Sequence, residues 1–120
     1  MKRNLTGAAL AVCAGMAAHA QQAESASGAA LRWLDKVSGV TTEIKMAIGQ
    51  TMEMGRLEVT LSDCRFPSED PSSDAYAHLT VSDPEDGRTI FAGWMIASSP
   101  ALSALDDPRY DIWVQRCISN

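Results

Sequence analysis

Residues 56–64 read RLEVTLSDC, and they alternate strictly: Leu57, Val59 and Leu61 against Arg56, Glu58, Thr60 and Ser62. Period-two alternation with β-branched residues marks a strand that is dry on one face and wet on the other. The same signal lies on either side. Upstream, Thr42, Ile44, Met46 and Ile48 alternate with Thr41, Glu43 and Lys45, and Gly49-Gln50 and Gly55 interrupt the chain around a short extended piece over 51–54. Downstream, Ala75, Ala77, Leu79 and Val81 share one side, and a Pro- and Gly-bearing turn over 83–87 joins this strand to the next in a hairpin. The FPSEDPSSD segment at 66–74, with two prolines and three acids, reads as a solvated loop.

Two further segments complete the set. Over 89–96 both faces are apolar, Ile90, Ala92, Trp94 and Ile96 on one and Phe91, Gly93 and Met95 on the other, which predicts a central strand covered on two sides. Over 110–117, Ile112 and Val114 oppose Trp113 and Gln115. With a first strand at 31–35 and a turn at 36–39, the pattern predicts an all-β domain over 31–120. It is a small antiparallel sandwich or barrel of about six or seven strands.

The ends constrain where such a domain works. Lys2 and Arg3 precede an apolar run of about 14 residues, short of the ~20 a membrane span needs, and Ala18-His19-Ala20 follows. This is the pattern of a signal peptide over 1–20 cleaved near Ala20, giving a periplasmic or secreted chain with no stable membrane span. The small polar stretch QQAESASGAA at 21–30 reads as a flexible tether. Loss of Lys2 and Arg3 leaves eight basic against fifteen acidic residues, a net charge of −7. That charge repels phosphate backbones, so nucleic acid is excluded as a partner.

Export also bears on the cysteines. Cys13 leaves with the signal, and Cys64 and Cys117 remain in a compartment where thiols oxidise. They are expected to form a disulfide that staples the domain, and they lack the C-x-x-C spacing of redox proteins. By parity each lies on the face opposite its own strand's aliphatic residues, so the bridge is expected away from the main core unless a bulge shifts the register.

Ser98-Ser99-Pro100 begins the one short helical turn. Ser99 fits the N-cap and Pro100 the first helical position, with Leu102 and Leu105 free to turn toward the sheet. The alternative, a nucleophilic serine served by His78, lacks the G-x-S-x-G elbow. With the cysteines bridged and one histidine left, no zinc site or other metal site is expected, and neither acidic run has calcium-loop spacing. No cofactor is implied. Trp33, Trp94, Trp113 and Tyr110 are many large rings for so small a domain. Trp113, with Tyr110 and Trp33, forms the candidate partner surface.

The blocks LDKVSGVTTEIKMAIGQTMEMGRLEVTLSDCR (34–65) and FAGWMIASSPALSALDDPRYDIWVQRC (91–117) resemble a bacterial family, domain of unknown function 2155. The resemblance spans nearly all of the mature chain. It differs in the short acidic segment after Cys64 and in Asp107-Pro108, where the family often has His-Pro. The resemblance implies an exported fold and supplies no mechanism. The expected role is therefore a non-catalytic periplasmic cell-envelope module that binds an envelope protein or envelope component. Small-ligand or glycan binding is the alternative, and an unrecognised serine hydrolase the third.

Overall fold

The computed structural model describes residues 22–119; the expected signal peptide lies outside them. Eight strands run in the order β1 (Ala23–Ser25), β2 (Gly28–Asp35), β3 (Thr41–Ala47), β4 (Thr51–Met54), β5 (Leu57–Pro67), β6 (Tyr76–Asp83), β7 (Arg88–Ile96) and β8 (Tyr110–Ile118), with a 3₁₀ turn at Pro100–Ser103. They form two antiparallel sheets. In the first, β5 pairs β6 and β6 pairs β7, while β1 and β4 share the other side of β5. The second runs β3-β2-β8. The expected all-β fold is a sandwich, since the two sheets do not close on each other.

The core lies between the sheets. The alternating residues Leu57, Val59 and Leu61 of β5 and Ala77, Leu79 and Val81 of β6 meet Ala29, Leu31 and Trp33 of β2 and Ile112 and Val114 of β8, all buried. Burying each large aliphatic side chain contributes about 1.5–3 kcal/mol. The β4–β5 turn shows why glycine is needed at one position. Gly55 has φ +59°, and a Cβ there would sit 2.5 Å from the Tyr110 ring.

Three one-residue register shifts change which side chains face inward. Leu61 pairs Leu79 but Asp63 pairs His78, so Ser62 is extra on β5. Val81 pairs Phe91 but Ser82 pairs Thr89, so Ile90 is extra on β7. Leu31 pairs Val114 but Ala30 pairs Arg116, so Gln115 is extra on β8. Each bulge reverses the parity of the strand residues beyond it.

The first consequence concerns the bridge. Beyond Ser62, Cys64 faces inward opposite Ala77, and beyond Gln115, Cys117 faces inward opposite Ala29. The Cys64–Cys117 disulfide therefore ties the two sheets together through the core, with Cys64 fully buried. The expected pairing is right; the expected location outside the main core is corrected by the two bulges.

Other expectations change as well. The segment 21–30, read as a tether, holds β1 and the start of β2. The Gln22 carbonyl accepts from Ser68 N at 2.9 Å, and Ala29 and Ala30 are fully buried. Small side chains with little to bury individually let backbones approach closely, and hydropathy does not register that. The strand over 88–96 is the edge of its sheet and is not central: β6 lies on one side only, and on the other Ser103 Oγ donates to the Trp94 carbonyl at 2.8 Å. Beside the 3₁₀ turn, Leu105 is buried as expected, but Leu102 is 76% exposed.

Candidate functional site

The outer face of the first sheet carries an aromatic and cationic row. Asp63, His78 and Trp94 lie side by side across β5, β6 and β7, and the next row is Arg65, Tyr76 and Ile96. Trp94 is 43% exposed. The Arg65 guanidinium lies 5.7 Å from its ring centroid, and His78 meets it edge-on at 5.1 Å. Arg65 Nε also donates to Asp63 at 2.9 Å, which holds the guanidinium against the ring. His78 Nδ1 is buried and has no hydrogen-bond partner. An uncovered tryptophan framed by an arginine is the composition that recurs at binding hot spots.

This surface is hidden in the sequence because of the Ile90 bulge. Counting back from the 83–87 turn without it pairs Ala77 with Trp94 and sends the ring inward. Only the alternating polar and aromatic set on β6, Tyr76, His78 and Thr80, hints that a neighbouring ring shares an open face.

The residues expected to form the partner surface are not brought together on a surface. Trp33 and Tyr110 are buried, with ring centroids 4.7 Å apart, and are core residues. Trp113 is half-buried on the outer face of the second sheet, opposite Arg32 and two strands from Glu43, which pairs with Arg116 at 2.8 Å. Parity places Trp113 on that face and, by the same alternation, sends Tyr110 inward with Ile112 and Val114, where two arginines cover its ring. The guanidiniums of Arg56 and Arg109 stand 5.7 and 5.2 Å from the Tyr110 ring centroid.

Those arginines belong to a charge network at one end of the sandwich. Arg56 pairs with Asp107, whose side chain is 1% exposed, and its Nε donates to Asp83 at 3.2 Å. The Asp107 carboxylate also accepts from Tyr110 N at 2.8 Å and Arg109 N at 2.9 Å, and Lys36 Nζ donates to its carbonyl at 2.8 Å. Burial pushes this carboxyl up. The Tyr110 amide, the Arg56 guanidinium and the Arg109 amide together outweigh burial and hold it below its ordinary value of 3.8. Arg109 reaches Asp35 at 3.2 Å, so the β2–β3 turn joins the same network.

At the opposite end is a cleft of about 550 Å³ lined by Pro71 to Asp74, Ala97, Ser98 and Gln115 to Cys117. Ser98 is a clamp here: its Oγ donates to Asp74 at 2.7 Å and its amide at 3.0 Å. Desolvation raises the Asp74 carboxyl, but the Ser98 hydroxyl with the Ala75 and Ser98 amides lowers it by more, leaving it below its ordinary value. Ser99 precedes the 3₁₀ turn with Pro100 at its start, as expected, but its side chain makes no capping hydrogen bond. Among the described residues no three His, Cys, Asp or Glu side chains gather to hold a metal, and no helix is long and apolar enough to cross a membrane.

Fold and site together define an antiparallel β-sandwich domain, stapled across its sheets, with one aromatic face open. The chain belongs to the family described as an uncharacterized protein conserved in bacteria (DUF2155), matched over residues 29–117. An uncharacterized protein of Rickettsia prowazekii (strain Madrid E) is similar, 29% identical over 87 residues, covering 70% of this chain and 56% of that protein. The chain thus spans little more than half the length of that relative. No solved structure matches.

Proposed function

We propose that the protein is an exported, non-catalytic module of the bacterial cell envelope that binds an envelope protein or envelope component through the outer face of its first sheet. The observation that carries this reading is Trp94, 43% exposed between Arg65 and His78 on a sheet face that no second layer covers among the described residues. Export is supported by the signal pattern over 1–20 and by the Cys64–Cys117 bridge, which suits an oxidising compartment. A non-catalytic role is supported by the engagement of the Ser98 hydroxyl with Asp74. A fluorophosphonate probe is expected to leave Ser98 and Ser99 unlabelled.

The test is a photo-crosslinking amino acid placed at Trp94 or at Trp113 in the living bacterium. A discrete adduct from position 94, weaker or absent from 113, is expected; equal products from both positions, or none from 94, would overturn the reading. A second reading, small-ligand binding, is favoured by the cleft of about 550 Å³ at the disulfide end, which is large enough for a small polar molecule. Ligand-dependent shifts in Tm that persist in Trp94→Ala and disappear on altering Arg116 would favour it.

A further inference from the structure

The disulfide is asymmetric. Cys64 is fully buried in the core against Ala77, whereas Cys117 is only half-buried and forms part of the wall of the 550 Å³ cleft, which opens to solvent. Thiol–disulfide exchange requires the attacking sulfur to approach along the S–S axis, from the side opposite the sulfur that leaves. Of the two cysteines only Cys117 lines the cleft, whereas Cys64 is fully buried in the core, so a reactant in the cleft meets the Cys117 side of the bridge first.

We propose that Cys117 is the exchange site of this protein and Cys64 its buried resolving cysteine, with low-molecular-weight thiols as the class of reactant that the cleft admits. In the opening direction a thiolate in the cleft attacks Cys117 Sγ. A new S–S bond forms between the entering sulfur and Cys117, the Cys117–Cys64 bond breaks, and the electron pair leaves on Cys64, which takes up one proton. In the closing direction Cys64 gives up that proton, attacks Cys117 Sγ of the mixed disulfide, and expels the small thiolate into the cleft. The two steps are each other's reverse, and no net oxidation occurs until a second thiol removes the first.

Two physical features set the rates. Full burial of Cys64 in the apolar core disfavours its anionic form, so it is a poor leaving group and opening is slow. Burial also lowers the supply of Cys64 thiolate for closing, and what favours closing is the fold itself, which holds Cys64 beside Cys117. The bridge is therefore durable yet reachable from one defined side, and it joins the only two strands, β5 and β8, that carry cysteine in the described fold.

The test uses single-cysteine forms and the wild type. Folded Cys64→Ser, treated with oxidised glutathione, is expected to gain the adduct on Cys117 at least about ten times faster than folded Cys117→Ser gains it on Cys64; in denaturant the two rates converge. Because both variants lack the same bridge, their loss of stability is shared, and circular dichroism checks that each is folded. Where either is unfolded, wild-type protein exposed to reduced glutathione and quenched in acid is mapped by mass spectrometry, with the mixed disulfide expected on Cys117. Comparable native rates, an adduct mapped to Cys64, or no adduct on Cys117 in any of these forms would overturn the assignment.

Discussion

At one end of the sandwich Asp107, Arg56, Asp83 and Tyr110 draw three chain segments together by charge and hydrogen bonds; at the other, a single covalent bond joins β5 to β8 beside an open cleft. Both closures bind the same pair of strands, since Arg56 precedes β5 and Cys64 lies near its end, while Tyr110 begins β8 and Cys117 nearly ends it. The difference lies in what each closure requires. The charged end satisfies the backbone amides of Tyr110 and Arg109 through one buried carboxylate, so its members depend on one another. The covalent end needs no partner network and leaves neighbouring surface free, and the cleft and the Trp94 face, flanked by Arg65 just past Cys64, both lie toward that end.

The most severe way to break the comparison is to cut the bond. A 53-residue separation closed by a disulfide contributes about 4 kcal/mol through loop-closure entropy. Cys64→Ser with Cys117→Ser is expected to lower urea-unfolding stability by about that amount, and reductant has no further effect on the double variant. Next comes the charged end, where Asp107→Ala strands two amides and takes away one of the two carboxylates on the Arg56 guanidinium. About 3 kcal/mol of destabilisation is expected from the same urea titration. A loss as small as that of an exposed residue would show that the network is decorative.

Acid sharpens the contrast. A carboxyl held below its ordinary 3.8 in the fold contributes stability that is complete above the unfolded value and is lost as pH falls through the folded one. Stability measured from about pH 6 to pH 2 is therefore expected to fall below about pH 4, with a shallower fall in Asp107→Asn. Cutting the disulfide should lower the whole curve without changing that slope. Gly55→Ala, which meets the Tyr110 ring and a φ of +59°, is expected to cost about 2 kcal/mol. The smallest effect is Trp94→Ala, within about 1 kcal/mol because the ring is 43% exposed, and its consequence is expected in crosslinking rather than in unfolding.

Much of the fold is legible in the chain. The alternation at 57–61 and 75–81 is the pattern of a half-buried strand, and the turn at 83–87 forces β6 and β7 into a hairpin. Of the three cysteines, Cys64 and Cys117 are expected to pair once Cys13 is read as part of a signal peptide, and they do pair. The open face is less legible: Trp94 and Trp113 both sit in apolar company along the chain, and only the neighbours across the sheet separate them. Trp33 and Tyr110 count as surface candidates by residue type, yet each is in phase with the buried aliphatic residues of its own strand, Leu31 and Ile112, and they pack on each other beneath two arginines.

By itself the sequence determined strands, turns, their antiparallel hairpin and the cysteine partners, because these depend on side-chain polarity at spacings of a few residues. The tertiary structure alone decided which face each segment presents after Ser62, Ile90 and Gln115. A single extra residue in a strand leaves no mark on local composition, yet it turns both cysteines into the core and one tryptophan out to solvent. Strand pairing is a property of two segments at once, and the register between them is set by what packs across the sandwich.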